Sequence, residues 1–247
     1  MANSFDLYGI KEVAEVTIYD ISNPASPTPV LYLDTLKVST IEQTAEQSEA
    51  RGGKGNSPLI IWDFGKEITI TLEDALFTAK SLAVMFSNGT VKDSAAATII
   101  KSGMYVATAA GATPVAASMP YTLPNGSTIV PDSVAFYAPG ASVAATALTS
   151  GEKYICEYTF TGQVTQTIEI SANTFPGTYM LRGDTFARNK DTGVDEQFQF
   201  VVYQAKMGAE NTITLQADGD PSTFSMTMRV LRPSNGKMME LIKYSLA

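Results

Sequence analysis

The sequence predicts a mainly β fold, with two packed antiparallel sheets arranged as a sandwich or barrel and one flanking α-helix. The first observation is that apolar residues alternate with small polar ones in four runs, at 66–73, 197–204, 212–217 and 223–231. The second is that turn-forming clusters of Gly, Asp, Asn and Pro lie between such runs, at 190–193, 217–221 and 233–236. Strands with one dry face, joined by tight turns, are typical of antiparallel sheets.

Each run separates into a dry and a wet face. The run at 66–73 places Ile68, Ile70 and Leu72 on one side and Glu67, Thr69, Thr71 and Glu73 on the other. The dry sets of the later runs are Phe198, Phe200 and Val202; Ile213, Leu215 and Ala217; and Phe224, Met226, Met228 and Val230. These residues are the predicted core.

One segment, 73–86, departs from the period of two. Leu76, Ala79, Ala83 and Phe86 recur at helical spacing, behind Asp74 as a possible N-cap. The residues Ser87, Asn88 and Gly89 suit the end of a helix. The segment predicts a single amphipathic helix packed against a sheet.

Two further regions differ in composition. Residues 39–58 are polar and then Gly-rich, between strand-like stretches at 31–38 and 59–64, and they predict a long functional loop. Residues 95–163 are rich in Ala, Ser, Thr, Gly and Pro, with short strand-like pieces at 98–100, 133–137 and 153–161. We expect them to form a small β-rich domain inserted into a core made of residues 1–94 and 164–247.

Composition argues against an enzyme. The 247 residues include no histidine, which excludes His-based triads and imidazole metal sites. The single cysteine, Cys156, lies in a strand-like run without a cationic neighbour, so we expect a buried, unreactive thiol. The net charge of -8 argues against wrapping nucleic acid, and no run approaches the ~20 apolar residues of a membrane span. We therefore predict no catalytic residue, no metal site and no cofactor.

Three motifs have an alternative functional interpretation. Gly52-Gly-Lys-Gly55 resembles a phosphate loop but lacks its spacer and its Ser or Thr, so we interpret it as a flexible loop tip. Ser234 and Lys237 have the spacing of a Ser-Lys hydrolase, although Pro233, Asn235 and Gly236 favour a turn. Trp62 has two interpretations, a strand anchor beside the helix or a ring that stacks on a ligand, and we favour the strand anchor.

Three separated segments resemble the tail tube (major tail) proteins of long-tailed bacteriophages. They are residues 50–77 (ARGGKGNSPLIIWDFGKEITITLEDALF), residues 175–179 and 182–186 (FPGTY and RGDTF), and residues 215–226 (LQADGDPSTFSM). The resemblance covers most of the chain outside 95–163. It implies packed antiparallel sheets and a helix, with six subunits closing a ring. Stacked rings would form a hollow conduit for the genome, in a virion tail whose subunits are made in the host bacterial cytoplasm.

In such proteins a long loop between two early strands reaches the neighbouring ring, and by position this role falls on residues 39–58. The expected inter-ring contact residues are Glu42, Glu46, Glu49, Arg51, Gly52, Gly53, Lys54 and Gly55. The expected lumen or interface strand faces carry Glu67, Thr69, Thr71, Glu73, Thr165, Thr167 and Glu169. The inserted domain would project outward as a decoration.

The resemblance also implies partners. These are other copies of the chain; the tail initiator or baseplate, terminator, tape measure and possibly sheath proteins; and double-stranded DNA that passes without specific binding. The acidic balance suits a channel wall that repels phosphate. Two other classes stay open from the residues alone: a capsid or tail decoration protein, and a carbohydrate-binding adhesion module.

Overall fold

The computed structural model describes residues 7–108, 110, 119–213 and 223–244. In this part of the chain there are fifteen β-strands and one α-helix. The chain divides into two compact units, Met1–Val91 with Ile168–Ala247, and Lys92–Thr167. We call them the core unit and the inserted unit.

The core unit contains one branched antiparallel sheet. Its strands before the helix are β1 (Tyr8–Ile10), β2 (Glu15–Asp20), β3 (Thr28–Leu33), β4 (Leu36–Gly52) and β5 (Ser57–Asp74), and those after it are β12 (Thr178–Asn189), β13 (Asp195–Met207), β14 (Phe224–Val230) and β15 (Met239–Tyr244). The order is β3-β2-β12-β13-β14-β5-β4, with β1 added to β12 and β15 to β13. The branch lies on β13, where residues 197–202 pair with β15 and residues 205–207 with β14.

Both branches of the sheet contribute to one hydrophobic core. Ile70 and Leu72 of β5 and Met226 and Met228 of β14 are buried with residues of β2, β3, β12 and β13 and with Val84 and Met85 of the helix. The predicted dry faces at 66–73, 197–204 and 223–231 are thus the faces that water does not reach, apart from the half-buried Phe198. The mainly β fold with packed antiparallel layers and one flanking helix is confirmed.

The helix α1 spans Ala79–Phe86, so the predicted N-cap at Asp74 is wrong and the helix begins later in the segment 73–86. Its N-cap is Thr78, whose Oγ1 accepts a hydrogen bond from the Ser81 amide (3.0 Å), while the Ser81 hydroxyl oxygen accepts one from the Thr78 amide (2.9 Å). This reciprocal capping box satisfies two amides that would otherwise lack partners. Asp74 instead ends β5, where its buried carboxylate accepts hydrogen bonds from the Thr35 hydroxyl and the Leu76 amide.

The predicted end of the helix is confirmed. The amides of Ser87 and Gly89 both donate to the Ala83 carbonyl, at 3.0 Å each. Gly89 has a φ of 79°, a left-handed conformation that glycine adopts without a steric penalty. The turns at 190–193 and 233–236 are also present. The run at 212–217 and the turn at 217–221 fall outside the described residues, except Thr212 and Ile213, which lie in no strand.

The inserted unit has its own sheet and its own core. Its strands are β6 (Lys92–Val106), β7 (Tyr121–Thr122), β8 (Thr128–Ile129), β9 (Ser133–Ala138), β10 (Ala141–Val143) and β11 (Lys153–Thr167), with a short 3-10 turn at Ala145–Ala147. The main sheet has the order β10-β9-β11-β6, and β7 pairs with β8. Cys156 is fully buried beside Phe136 and Tyr154 in its core. The predicted pieces at 98–100 and 153–161 are parts of much longer strands, β6 and β11.

A polar cluster ties three strands of the core unit together. The Lys243 ammonium of β15 lies 2.7 Å from the Glu196 carboxylate of β13 and 2.6 Å from the Tyr8 hydroxyl of β1, and that hydroxyl donates to Glu196 at 3.0 Å. The hydrogen bond from Lys243 lowers the pKa of Glu196, against a smaller opposing effect of burial. The charged form of Glu196 is therefore stabilised by folding.

This cluster predicts a pH-dependent contribution to stability. Because the pKa of Glu196 is lowered in the folded chain, its contribution is complete above the ordinary glutamate pKa and is lost as pH falls through the lowered value. We expect Glu196→Gln to lower the free energy of unfolding at neutral pH and to match the parent protein in strong acid. Urea unfolding across this pH range measures the difference, and a difference independent of pH would contradict the assignment.

Candidate functional site

A long hairpin is the most distinctive feature of the core unit. Strands β4 and β5 pair continuously from Leu36 opposite Asp74 to Gly52 opposite Ser57, but β14 covers β5 only at residues 69–74. Beyond that point the hairpin is a two-stranded ribbon, which we call the arm (residues 44–67). The predicted structureless loop at 39–58 is therefore wrong. These residues form most of β4, the tip and the start of β5. They show no period of burial because most of them pair with β5 in a ribbon that lies away from the core.

The Gly-rich run forms the tip of the arm. Gly53 and Gly55 have φ values of 77° and 89°, and Asn56 has a φ of 50°. The Asn56 amide donates to the Gly53 carbonyl at 3.2 Å and closes the turn. Glycine is favoured where φ is positive. The interpretation of Gly52 to Gly55 as a loop tip is thus confirmed.

A bulge at Gly65 changes which side chains share a face. Thr44 lies opposite Glu67 but Glu46 lies opposite Phe64, so Gly65 and Lys66 together face the single residue Ala45. Gly65 has a φ of 61°, as expected for the left-handed residue of such a bulge. The extra residue shifts the period of two by one position. Phe64, Trp62 and Ile60 consequently lie on the opposite face from Ile68, Ile70 and Leu72.

Trp62 is therefore solvent-exposed. Its exposed fraction is 52%, and it lies on the arm, so the prediction that it anchors a strand beside the helix is wrong. Its neighbours Leu59, Ile60, Ile61 and Phe64 are each at least half exposed. On β4, opposite this apolar strand, every residue from Glu42 to Glu49 is exposed and only Ala45 is apolar.

The arm thus presents one apolar and one polar strand to solvent. Contiguous exposed apolar surface of this kind marks interaction sites in monomeric proteins. Within the described residues, no strand pairs with the outer edge of β5 at residues 57–68 or with the outer edge of β4. Unpaired edges offer backbone donors and acceptors to another chain. The sequence predicts the strand-like stretch at 59–64 but not the exposure of its apolar side chains, because a solvent-facing strand and a buried one have the same composition here.

The arm carries all the predicted inter-ring contact residues except Glu42, which lies two residues before it on β4. Glu42, Glu46, Glu49, Arg51 and Gly52 lie on β4, at or near the arm, and Gly53, Lys54 and Gly55 form its tip. The Arg51 guanidinium already pairs with Glu49 of its own strand at 2.5 Å. Among the residues that the structure describes, Lys54 has no ion-pair partner.

Four of the predicted strand-face residues share a surface. Glu67, Thr69, Thr71 and Glu73 alternate along β5, flanked by Glu42 and Thr40 on β4 and by Arg229, Thr227 and Ser225 on β14. Glu67 forms an ion pair with Arg229. The surface is polar apart from Val38, which lies opposite Glu73 on β4 and is exposed. A Thr pair lies at its centre, where Thr227 is directly opposite Thr71.

The other three predicted face residues lie elsewhere. Thr165 and Thr167 belong to β11 of the inserted unit. Glu169 follows β11 and lies in no strand, so its expected place on a strand face is wrong. Its carbonyl accepts a hydrogen bond from the Ser87 hydroxyl at 3.0 Å, which holds the segment after β11 near the end of α1.

Ser234 and Lys237 form a turn, as their neighbours predicted. The Lys237 ammonium lies 2.6 Å from the Glu240 carboxylate, and this hydrogen bond raises the pKa of Lys237. A lysine held in its charged form is a poor general base. Across the described ranges, no three carboxylate or thiol side chains are grouped to hold a metal ion. None of the described helices has the length and apolar content needed to cross a bilayer.

An antiparallel β core with an exposed apolar arm has the features of a structural assembly protein. The sequence matches the YomU/Tube protein family over residues 8–243, and the chain belongs to that family. This membership confirms the resemblance to phage tail tube proteins. A comparison with curated proteins found no match.

Proposed function

We propose that the protein is the structural subunit of a phage tail tube, which assembles with copies of itself into stacked hexameric rings. The stacked rings form a hollow conduit for delivery of the genome. The observation that carries this proposal is the family match over residues 8–243, in a chain whose core unit extends an arm with exposed apolar side chains. The role is structural, without catalysis.

Unpaired sheet edges support assembly into rings. The outer edges of β4 and β3 end the main path of the sheet, and neither has a second partner strand among the described residues. Closure of a sheet around a symmetric ring removes such edges, because each subunit pairs with the next. The same closure would protect the exposed edge of β4, a strand of 17 residues.

The arm suits the contact between rings. From Glu67 to Ser57 it extends about 33 Å, at ~3.3 Å per residue. Burial of its five half-exposed apolar side chains would contribute on the order of 5 kcal/mol, at about 1 kcal/mol each. Part of that energy offsets the entropy lost on association. The acidic residues Glu42, Glu46 and Glu49 and the basic residues Arg51 and Lys54 would orient the contact.

The polar face of β5 suits the wall of the lumen. Glu67, Thr69, Thr71 and Glu73 present hydroxyls and carboxylates, and the whole chain has a net charge of -8. A wall of this kind repels phosphate, so DNA passes without specific binding. Thr165 and Thr167 belong to the inserted unit, for which we propose the role of a decoration. Initiator, terminator and tape measure proteins are the expected partners at the tube ends and in the lumen.

The tip of the arm offers a direct test. Replacing Gly53 and Gly55 together by valine puts β-branched residues at positive φ, which distorts the tip without touching the core. We expect folded rings or monomers that no longer stack, measured by sedimentation velocity and negative-stain electron microscopy. The matched control is Gly126→Val, at another turn with a φ of 84° and open surroundings. Tubes of normal length from the tip variant would contradict the proposed role of the arm.

A further inference from the structure

A cleft opens in the core unit where β14 separates from β5. The two strands pair as far as Arg229 opposite Thr69. β14 already pairs with β13 at residues 228–230 and ends at Val230, and the next residue stays beside β13, where the Leu231 amide donates to the Gln204 carbonyl at 2.8 Å. The gap has a volume of about 520 Å³ and is lined by Gly65, Lys66, Glu67, Arg229, Val230, Leu231, Arg232 and Met238.

The cleft has an apolar floor and a cationic rim. Val230 is buried, and Leu231 and Met238 are half-buried, whereas Lys66, Arg229 and Arg232 are exposed. Glu67 neutralises only Arg229, with which it forms an ion pair. Lys66 and Arg232 form no ion pair with any residue of the described ranges. In a chain with a net charge of -8, this is a locally positive site.

The arm has the complementary chemistry. Trp62 and Phe64 share a face with Glu46 and Ser48, because Phe64 lies opposite Glu46 and Trp62 opposite Ser48. This face therefore offers two aromatic rings beside a carboxylate. Indole is the aromatic group that binds Arg and Lys cations best. Trp62 does not line the cleft of its own chain, and half of its surface is exposed.

We propose that this cleft receives the arm of a second copy of the chain, with Trp62 on the apolar floor and Glu46 facing Lys66 and Arg232. The inference rests on the proposed function and names the surface that accepts the arm. The cleft includes the base of the arm but not its Trp62 face, so the two surfaces differ, the contact is head-to-tail and each copy offers both halves. Contacts of this kind repeat without limit when they do not close, as a stack of rings requires.

The single tryptophan of the sequence gives a direct readout. On assembly of the unmodified protein, the Trp62 emission should move to shorter wavelength, and acrylamide should quench it less. Arg232→Glu should raise the concentration needed for assembly about tenfold or more, as expected for loss of a central contact. The control Lys190→Glu makes the same charge change at an exposed turn and should assemble normally.

A cross-linking experiment tests the same contact independently of stability. Ile60 lies on the Trp62 face of the arm, and Cys156 is fully buried. A mixture of Ile60→Cys and Arg232→Cys proteins should form a disulfide-linked heterodimer under mild oxidation, whereas Ile60→Cys mixed with Lys190→Cys should not. Tubes in which Trp62 keeps its exposure, or which yield no heterodimer, would overturn this inference alone. A parent protein that never assembles would overturn the proposed function as well.

Discussion

A chain without its arm should fold normally and fail to assemble. Deleting residues 45–66 and joining Thr44 to Glu67 through an Asn-Gly turn keeps the register, because these two residues are already cross-strand partners. The deletion spares Ile68, Ile70 and Leu72 and every other residue of the buried core cluster. It removes all five exposed apolar side chains of the β5 half of the arm. We expect a monomer in sedimentation velocity at concentrations where the parent protein is fully assembled.

Two controls separate assembly from stability in this experiment. The thermal midpoint and the far-UV circular dichroism of the deletion variant should stay close to those of the unassembled parent protein. A second variant, Ile100→Ser with Met104→Ser, removes comparably exposed apolar side chains from the inserted unit and should still assemble. Rings or tubes formed by the chain without its arm would show that the arm is dispensable.

Two isoleucines of the same strand should affect different properties when replaced by alanine, one the folding stability and the other the assembly. Ile70 is fully buried in the core, so Ile70→Ala leaves a cavity and should lower the free energy of unfolding by about 2–5 kcal/mol. Ile61 is 51% exposed on the arm, so Ile61→Ala should change that free energy by less than ~0.5 kcal/mol. Ile61→Ala should instead weaken assembly, because its side chain contributes to the contact surface.

Urea unfolding of the dilute, unassembled proteins measures the change in the free energy of unfolding, since association would add to the apparent stability. Sedimentation velocity at higher concentration measures the change in assembly. Each variant serves as the control for the other, with the same substitution in the same strand. An Ile61→Ala variant as unstable as Ile70→Ala would mean that the arm is part of the folded core.

The sequence predicts most of the core because burial leaves a periodic pattern. Ile70 and Leu72, or Met226 and Met228, alternate with polar residues wherever one face of a strand is dry. The helix end at Gly89 follows equally well from glycine's access to positive φ. The start of the helix cannot be predicted from the sequence in this way, because Asp74 and Thr78 are both good N-cap residues. Only the hydrogen bonds show that Thr78 and Ser81 cap the helix while Asp74 bonds to Thr35.

The arm could not be predicted as a hairpin, because strands that pair away from the core have no dry face. The bulge at Gly65 adds a second difficulty. From Ile60 to Leu72 the even-numbered residues are apolar except Lys66, which predicts one continuous face, yet the extra residue places Trp62 and Ile70 on opposite sides. The cleft beside Arg232 arises from the separation of two strands that are distant in sequence. No local pattern indicates it.

Electron microscopy of the concentrated, purified protein, with sedimentation velocity on the same sample, tests self-assembly most directly. The proposal predicts rings and hollow tubes, with a central channel and a regular axial repeat, alongside species larger than a monomer in solution. A protein that stays monomeric at every concentration, also after addition of purified tail initiator complexes, would contradict it.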